Sequence, residues 1–243
     1  YLSKLLFLKN KMLKTLFIVS GGKNIGSGHI NRCELLSNEL KEKNFLFIGI
    51  KKHKFDKIKN NLNYEIKRFN KKSIKKILDV CKKHKIDRVI LDHTNINLQI
   101  QKALFNKYFL VIFDNQQKKS FMADVLINAN PNVSSLDFKK RIKNKNIALL
   151  LGNKYSVIKL PNKGLKNRKF DTVFFCFGGG NDKNVLFNFL KFIKKKNLTT
   201  SFDINLIIGP MNENYQKYKK YIKNNNIKNV NIFFNPKNIY EIM

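Results

Sequence analysis

The chain has 243 residues, 43% of them apolar, which suffices for one large packed domain or two small ones. Its formal net charge of +33 suits phosphate-bearing partners. The lysines are nevertheless spread along the chain rather than gathered with Arg and aromatics on one element, which argues against a nucleic-acid module, and no apolar run reaches the length of a membrane span. Stretches such as KNKNIA and KNNNIKNVNIFFN fit a coding sequence biased toward adenine and thymine, in which solvated faces fill with Lys.

The predicted elements alternate strand and helix. The opening YLSKLLFLKNKMLK imitates a signal peptide, but its apolar stretches are short and broken by Lys. Residues 1–11, ahead of Met12, read as an upstream extension. TLFIVS (15–20) reads as a buried strand, HINRCELLSNELKEK (29–43) as a helix and FLFIGI (45–50) as a strand. A short helix and loop over 51–63 and a strand over 64–69 follow. Ser73 caps a helix, SIKKILDVCKKHK. Then come strand 88–92, helix NLQIQKALFNK, strand 109–114, and short strands over 124–128 and 147–152. KLPNKGLKNRK (159–169) has a Pro, a Gly and clustered charge, and reads as a linker. The alternation then restarts: strand then glycine loop over 171–180, helix 183–196, strand then Gly over 202–209, helix 212–225, strand 230–234, and a last helix starting at PKNIYEIM. The pattern predicts an α/β protein with two Rossmann-like parallel-sheet domains, 12–162 and 171–243, joined by a linker over 163–170. With three recognisable strands, the second half reads as a domain truncated at its C-terminus.

Candidate chemistry sits at the strand ends. GGKNIGSGH closes the first strand, where open α/β sheets take their ligands. Gly26 and Gly28 let backbone approach a phosphate or sugar, and the helix mouth adds positive potential. His29 there, as a neutral imidazole, has the chemistry of a general base, and Arg32 lies one turn on, where it can meet a phosphate. The alternative is a glycine turn with a capping His. Asp92 and His93 end one strand and Asp114 another; cleft-facing acids and helix caps both fit these positions. His53 and His84 lie among lysines and read as surface residues. FGGGND repeats the strand–glycine–helix device: Gly178, Gly179, Gly180 and Asn181 with the next helix N-terminus can cradle a diphosphate, and Gly209 can line the same pocket. Cys33, Cys81 and Cys176 have no metal-ligand spacing and read as reduced, buried thiols of a cytoplasmic protein. No metal site is expected.

The blocks GSGHINR, LDHTNI, FDNQ, ADVLINANPN, LLGNKYSVIK and FFCFGGGNDKNV occur in an order that resembles the UDP-sugar hydrolase family of pseudaminic acid biosynthesis, with its spore-coat polysaccharide relatives. The resemblance runs from Met12 to Met243. It implies the two-domain GT-B architecture and inverting hydrolysis of UDP-2,4-diacetamido-2,4,6-trideoxy-β-L-altropyranose, with no metal or other cofactor and no stable membrane association. It gives His29 the role of orienting or deprotonating the water. Substrate contacts then fall on Gly26, Gly28, Arg32, Asp92, Tyr155 and Lys159, and the second domain's glycine loop holds UDP. The chain departs from the family pattern at Thr94, where Tyr is usual, at Asn115, where a second acid is common, and at Ile158–Lys159, where Leu-Arg is usual. Lys does not replace Arg for bidentate anion binding. Glycosyl transfer from a UDP-sugar on the same fold, and polyanion binding without catalysis, are the competing functions.

Overall fold

The computed structural model describes residues 13–21, 25–40, 43–48, 66–68, 74–93, 97–114, 120–159, 172–196 and 202–242. The expectations for 1–11, 51–63, the linker 163–170, Ser73 as a cap, His53, Thr94 and Asn115 lie outside the described residues. The chain divides into two compact units, Tyr1–Ser20 with His29–Ile158, and Gly21–Gly28 with Lys159–Met243.

In the first unit, seven strands form one sheet: β1 (Lys14–Val19), β2 (Lys43–Ile48), β3 (Ile66–Arg68), β4 (Arg88–Asp92), β5 (Phe109–Phe113), β6 (Val125–Asn128) and β7 (Ala148–Leu151). Their order is β3-β2-β1-β4-β5-β6-β7, and every pairing is parallel. The aliphatic runs make this possible. Leu16, Phe17, Ile18 and Val19 are all nearly inaccessible although they alternate in direction, because both faces of a parallel sheet are covered. Helices α1 (Gly28–Leu40), α2 (Ile74–Lys83) and α3 (Leu98–Phe105) supply cover. Ile77 and Cys81 of α2 and Ile100 and Leu104 of α3 pack on Leu16, Ile18, Val89, Leu91, Leu110 and Ile112. The chain leaves β1 toward β2 in one direction and β4 toward β5 in the other. Right-handed crossovers therefore set α1 on the face opposite α3. The strand order turns back between β1 and β4, and the carboxyl ends of those two strands form the switch point at which such sheets bind ligands.

Polar side chains fix the irregular segment ahead of β6. Gln101 donates to Ser120 O and accepts from Met122 N, Asn144 brackets the backbone of Ala123, and the buried Asp124 accepts from Leu110 N at 2.8 Å. Asn97 caps α3, its Oδ1 accepting from Ile100 N at 3.0 Å.

The second unit holds a parallel sheet of order β10-β9-β8, formed by β8 (Thr172–Cys176), β9 (Asp203–Ile208) and β10 (Val230–Phe234). Helices α4 (Val185–Lys196) and α5 (Tyr215–Asn224) connect the strands. Leu186, Leu190, Ile193, Ile204, Leu206, Ile208 and Tyr218 make its core. The two parallel-sheet α/β units are the fold class that the strand–helix alternation predicts. One element differs: the helix expected from PKNIYEIM is a short 3-10 turn, Ile239–Glu241, capped by Asn238 Oδ1 on Tyr240 N.

Candidate active site

β1 and β4 are in register, Val19 beside Asp92, so α1 begins shortly after one strand end and Asp92 closes the next. The Asp92 side chain is 1% exposed. Its Oδ1 lies 2.6 Å from His29 Nδ1 and accepts from Arg32 Nη2, also at 2.6 Å. Arg32 Nε donates to Oδ2 at 2.8 Å, and the Cys33 thiol sits 3.7 Å from the same oxygen. One buried carboxylate thus gathers three side chains, His29, Arg32 and Cys33, from the first turns of α1.

The charge balance explains why this carboxylate is stable where it is. Burial alone pushes the Asp92 carboxyl up, but hydrogen bonds from His29 and Arg32, with the Arg32 charge, outweigh that and hold it below the usual carboxylate range. In the neutral ring, an ionised acceptor against Nδ1 places the proton on Nδ1 and leaves Nε2 with the lone pair. That is the tautomer of a general base, on a side chain 19% exposed. Burial, and then the Asp92 charge, push the Cys33 thiol well above its ordinary value, so it is a neutral packing group.

The next strand ends carry a second polar pair. Asp114 and Asn128 are both buried, Asn128 Nδ2 donates to Asp114 Oδ2 at 3.4 Å, and Asn128 Oδ1 accepts from Asn130 N at 2.9 Å. Asn128 was not singled out from the sequence. Its signal was available, as an Asn closing an apolar strand in LINAN. Tyr155 is half-buried in a 3-10 turn, Asn153–Tyr155, that follows Gly152, whose φ of +97° favours glycine. Lys159, in the second unit, has an exposed side chain, and its carbonyl accepts from the Tyr240 hydroxyl of the same unit. His93 and His84 are half-buried.

In the second unit the glycines have steric reasons. A Cβ on Gly209 would fall on Gly178 O and within 2.5 Å of Gly179 Cα. One on Gly179 would meet the Ser27 hydroxyl and stand 2.7 Å from Ser27 N, in the stretch Gly21–Gly28 that groups with this unit. Gly26 has φ +83°, which favours glycine, and its Cβ would lie a tight 3.1 Å from Gly180 N. Gly178 has φ +73°. The structure therefore brings Gly26, Gly178, Gly179, Gly180 and Gly209 into one bare-backbone patch. Asn181 makes a turn, its Oδ1 accepting from Lys183 N at 2.8 Å. At the mouth of α4 the buried Asp182 accepts from Leu186 N at 3.1 Å and from the Tyr218 hydroxyl at 2.7 Å. A carboxylate thus already answers the positive end of α4.

A separate hollow of about 830 Å³ opens between α2, α3 and the loops before β4 and β5, lined by Leu78, Lys82, Lys85, Ile86, Lys107 and Tyr108 among others. It holds none of the predicted site residues. Among the described residues no group of three or more His, Cys, Asp or Glu is placed to hold a metal ion, and no helix is long and apolar enough to cross a membrane.

Against known proteins, the chain is 24% identical over 237 residues to the UDP-2,4-diacetamido-2,4,6-trideoxy-beta-L-altropyranose hydrolase of Campylobacter jejuni subsp. jejuni serotype O:2, spanning 95% of this chain and 81% of that protein. It is 29% identical over 249 aligned positions to an uncharacterized protein of Methanocaldococcus jannaschii, spanning 95% of this chain and 50% of that one. Among solved structures, Acinetobacter baumannii MurG is similar with a TM-score of 0.48 and 13% identity, over 93% of this chain and 67% of that one. WaaG, a glycosyltransferase involved in lipopolysaccharide biosynthesis, is similar with a TM-score of 0.45 and 12% identity, over 94% and 72%. No family profile matches the chain.

Proposed function

We propose that the protein is a nucleotide-sugar hydrolase of GT-B architecture that releases UDP and free 2,4-diacetamido-2,4,6-trideoxy-L-altrose from the UDP-sugar, in pseudaminic acid biosynthesis. The observation that carries this reading is the His29–Asp92 pair at the switch point of the first sheet. The 24% identity to the Campylobacter hydrolase supports the choice of substrate.

In this mechanism His29 Nε2 takes a proton from water as the oxygen attacks the anomeric carbon. The bond from that carbon to the diphosphate oxygen breaks, its electron pair leaves with UDP, and configuration inverts. Asp92 stabilises the imidazolium that forms. The bare backbone at Gly178–Gly180 and Gly209 receives the diphosphate, whose departing charge needs positioned N–H donors rather than a second acid. Tyr155 and Lys159 contact the substrate. No metal or other cofactor takes part, and the protein works in the cytoplasm without stable membrane association.

A proton NMR time course with the UDP-sugar and no acceptor tests this, with wild type beside His29→Ala. UDP and the free sugar appear only with wild type, and the first-formed anomer is the inverted one. A substrate that binds and stays intact sinks hydrolysis in favour of transfer to an acceptor.

A further inference from the structure

We infer that Arg32 is a positioning residue that aims His29 through Asp92, rather than a ligand for the substrate's phosphates. This rests on the reading of His29 as the base. Its own evidence is geometric. Two guanidinium nitrogens face inward: Nε donates to one Asp92 oxygen and Nη2 to the other, a bidentate fork. The guanidinium carbon sits 4.5 Å from the centroid of the Phe113 ring at the end of β5. The fork and the ring fix the group from two sides, and a planar guanidinium has little freedom left to turn toward a ligand.

The consequence for His29 follows from shared atoms. Asp92 Oδ1 serves both Arg32 Nη2 and His29 Nδ1. With Arg32 in place the carboxylate cannot rotate, and Oδ1 stays aimed at the imidazole. Arg32 Nη2 also lies 3.5 Å from His29 Nδ1. Two donors at that separation do not bond, so the carboxylate is the group that sets the ring. Removing the guanidinium frees Asp92 to swing and lets the proton move between the two ring nitrogens.

The test pairs a spectroscopic signature with kinetics. Nitrogen-15 correlation spectra of the imidazole report which ring nitrogen carries the proton, with no substrate present. Wild type shows one tautomer, with the proton on Nδ1, while Arg32→Gln shows exchange between two. Phe113→Leu, which keeps the fork and removes the ring, gives a partial change, and Arg32→Lys restores the wild-type pattern only in part. With the UDP-sugar, Arg32→Gln lowers kcat by about 10²-fold, as for a misplaced catalytic group, and leaves KM unchanged. A raised KM with kcat and tautomer both preserved overturns the inference and makes Arg32 a substrate contact. Should the protein fail to hydrolyse this sugar at all, the spectra still decide the role of Arg32. Should Arg32→Gln fail to fold, Phe113→Leu and Arg32→Lys carry the same comparison.

Discussion

The end of the first sheet and the glycine turn of the second unit solve the same problem, presenting polar chemistry at a strand end, in opposite ways. The first uses side chains from distant sequence: Arg32 and Asp92 are 60 residues apart, and a buried negative charge is kept by its partners. The second uses the absence of side chains, with Gly178, Gly179 and Gly209 fitted so closely that no Cβ is tolerated at two of them. A charge network holds one fixed geometry for chemistry. A bare backbone leaves space where side chains would stand. Under the function proposed above, the first would serve the reacting carbon and the second the leaving group.

Removing the base should separate the two strand ends most clearly. His29→Ala should cost about 10²–10⁴-fold in kcat, the usual contribution of a positioned base, while leaving UDP binding to the second unit intact by calorimetry. Equal loss of UDP binding would show that the two strand ends do not divide the work.

Asp92→Asn comes next. Taking one partner from a buried ion pair should destabilise the first unit by about 3 kcal/mol in urea titrations followed by far-ultraviolet circular dichroism. The pH dependence follows from the direction of the shift. The folded carboxyl is held below its unfolded value of about 3.9, so its stabilisation is present above that pH and disappears as pH falls through the folded value. Wild type should lose this increment on acidification below about pH 4, and Asp92→Asn should not. Matching acid profiles would contradict the ion pair.

The glycines give a smaller and more local effect. Gly209→Ala drives a methyl against the backbone of Gly178 and Gly179, which cannot move aside as a side chain would. It should cost about 1–3 kcal/mol and weaken UDP binding, with the His29 ring signals unchanged. Gly28→Ala is the counter-case: nothing lies within 4 Å of the added Cβ. At the first position of α1 it should be neutral or stabilising by up to about 1 kcal/mol. Equal costs at the two positions would mean that backbone crowding does not explain Gly209.

The mildest probe is thiol labelling of the native protein. Cys176 is exposed, whereas Cys33 and Cys81 are buried and their thiols pushed up, Cys81 to about 12. One label per chain is expected below pH 10, on Cys176. This departs from the sequence reading of all three as buried. Cys176 ends β8 with its side chain outward, and a single strand sequence does not say which face of the sheet is covered.

Much of the fold was legible because its signals are local. Aliphatic runs such as LFIV and VIL mark strands buried on both faces, and their alternation with amphipathic segments leaves parallel sheets as the economical topology. The last segment is harder to read, because PKNIYEIM is too short to separate the start of an α-helix from the 3-10 turn Ile239–Glu241.

At the site, the sequence alone determined which residue types stand at the strand ends: His29 after Gly28, Asp92 closing β4, and the glycines after β8. Position relative to a strand is a near-neighbour property, and patterning reveals it. What those residues do to one another follows from the folded chain. Arg32 reads in sequence as a cation one turn along the helix, placed to meet a phosphate. In the folded chain β4 brings a buried carboxylate and β5 an aromatic ring to it, and the cation turns inward. The reason is desolvation. A buried carboxylate must be answered by whatever donors the neighbouring strand and helix deliver, and which donors those are depends on strand order, which no local pattern encodes.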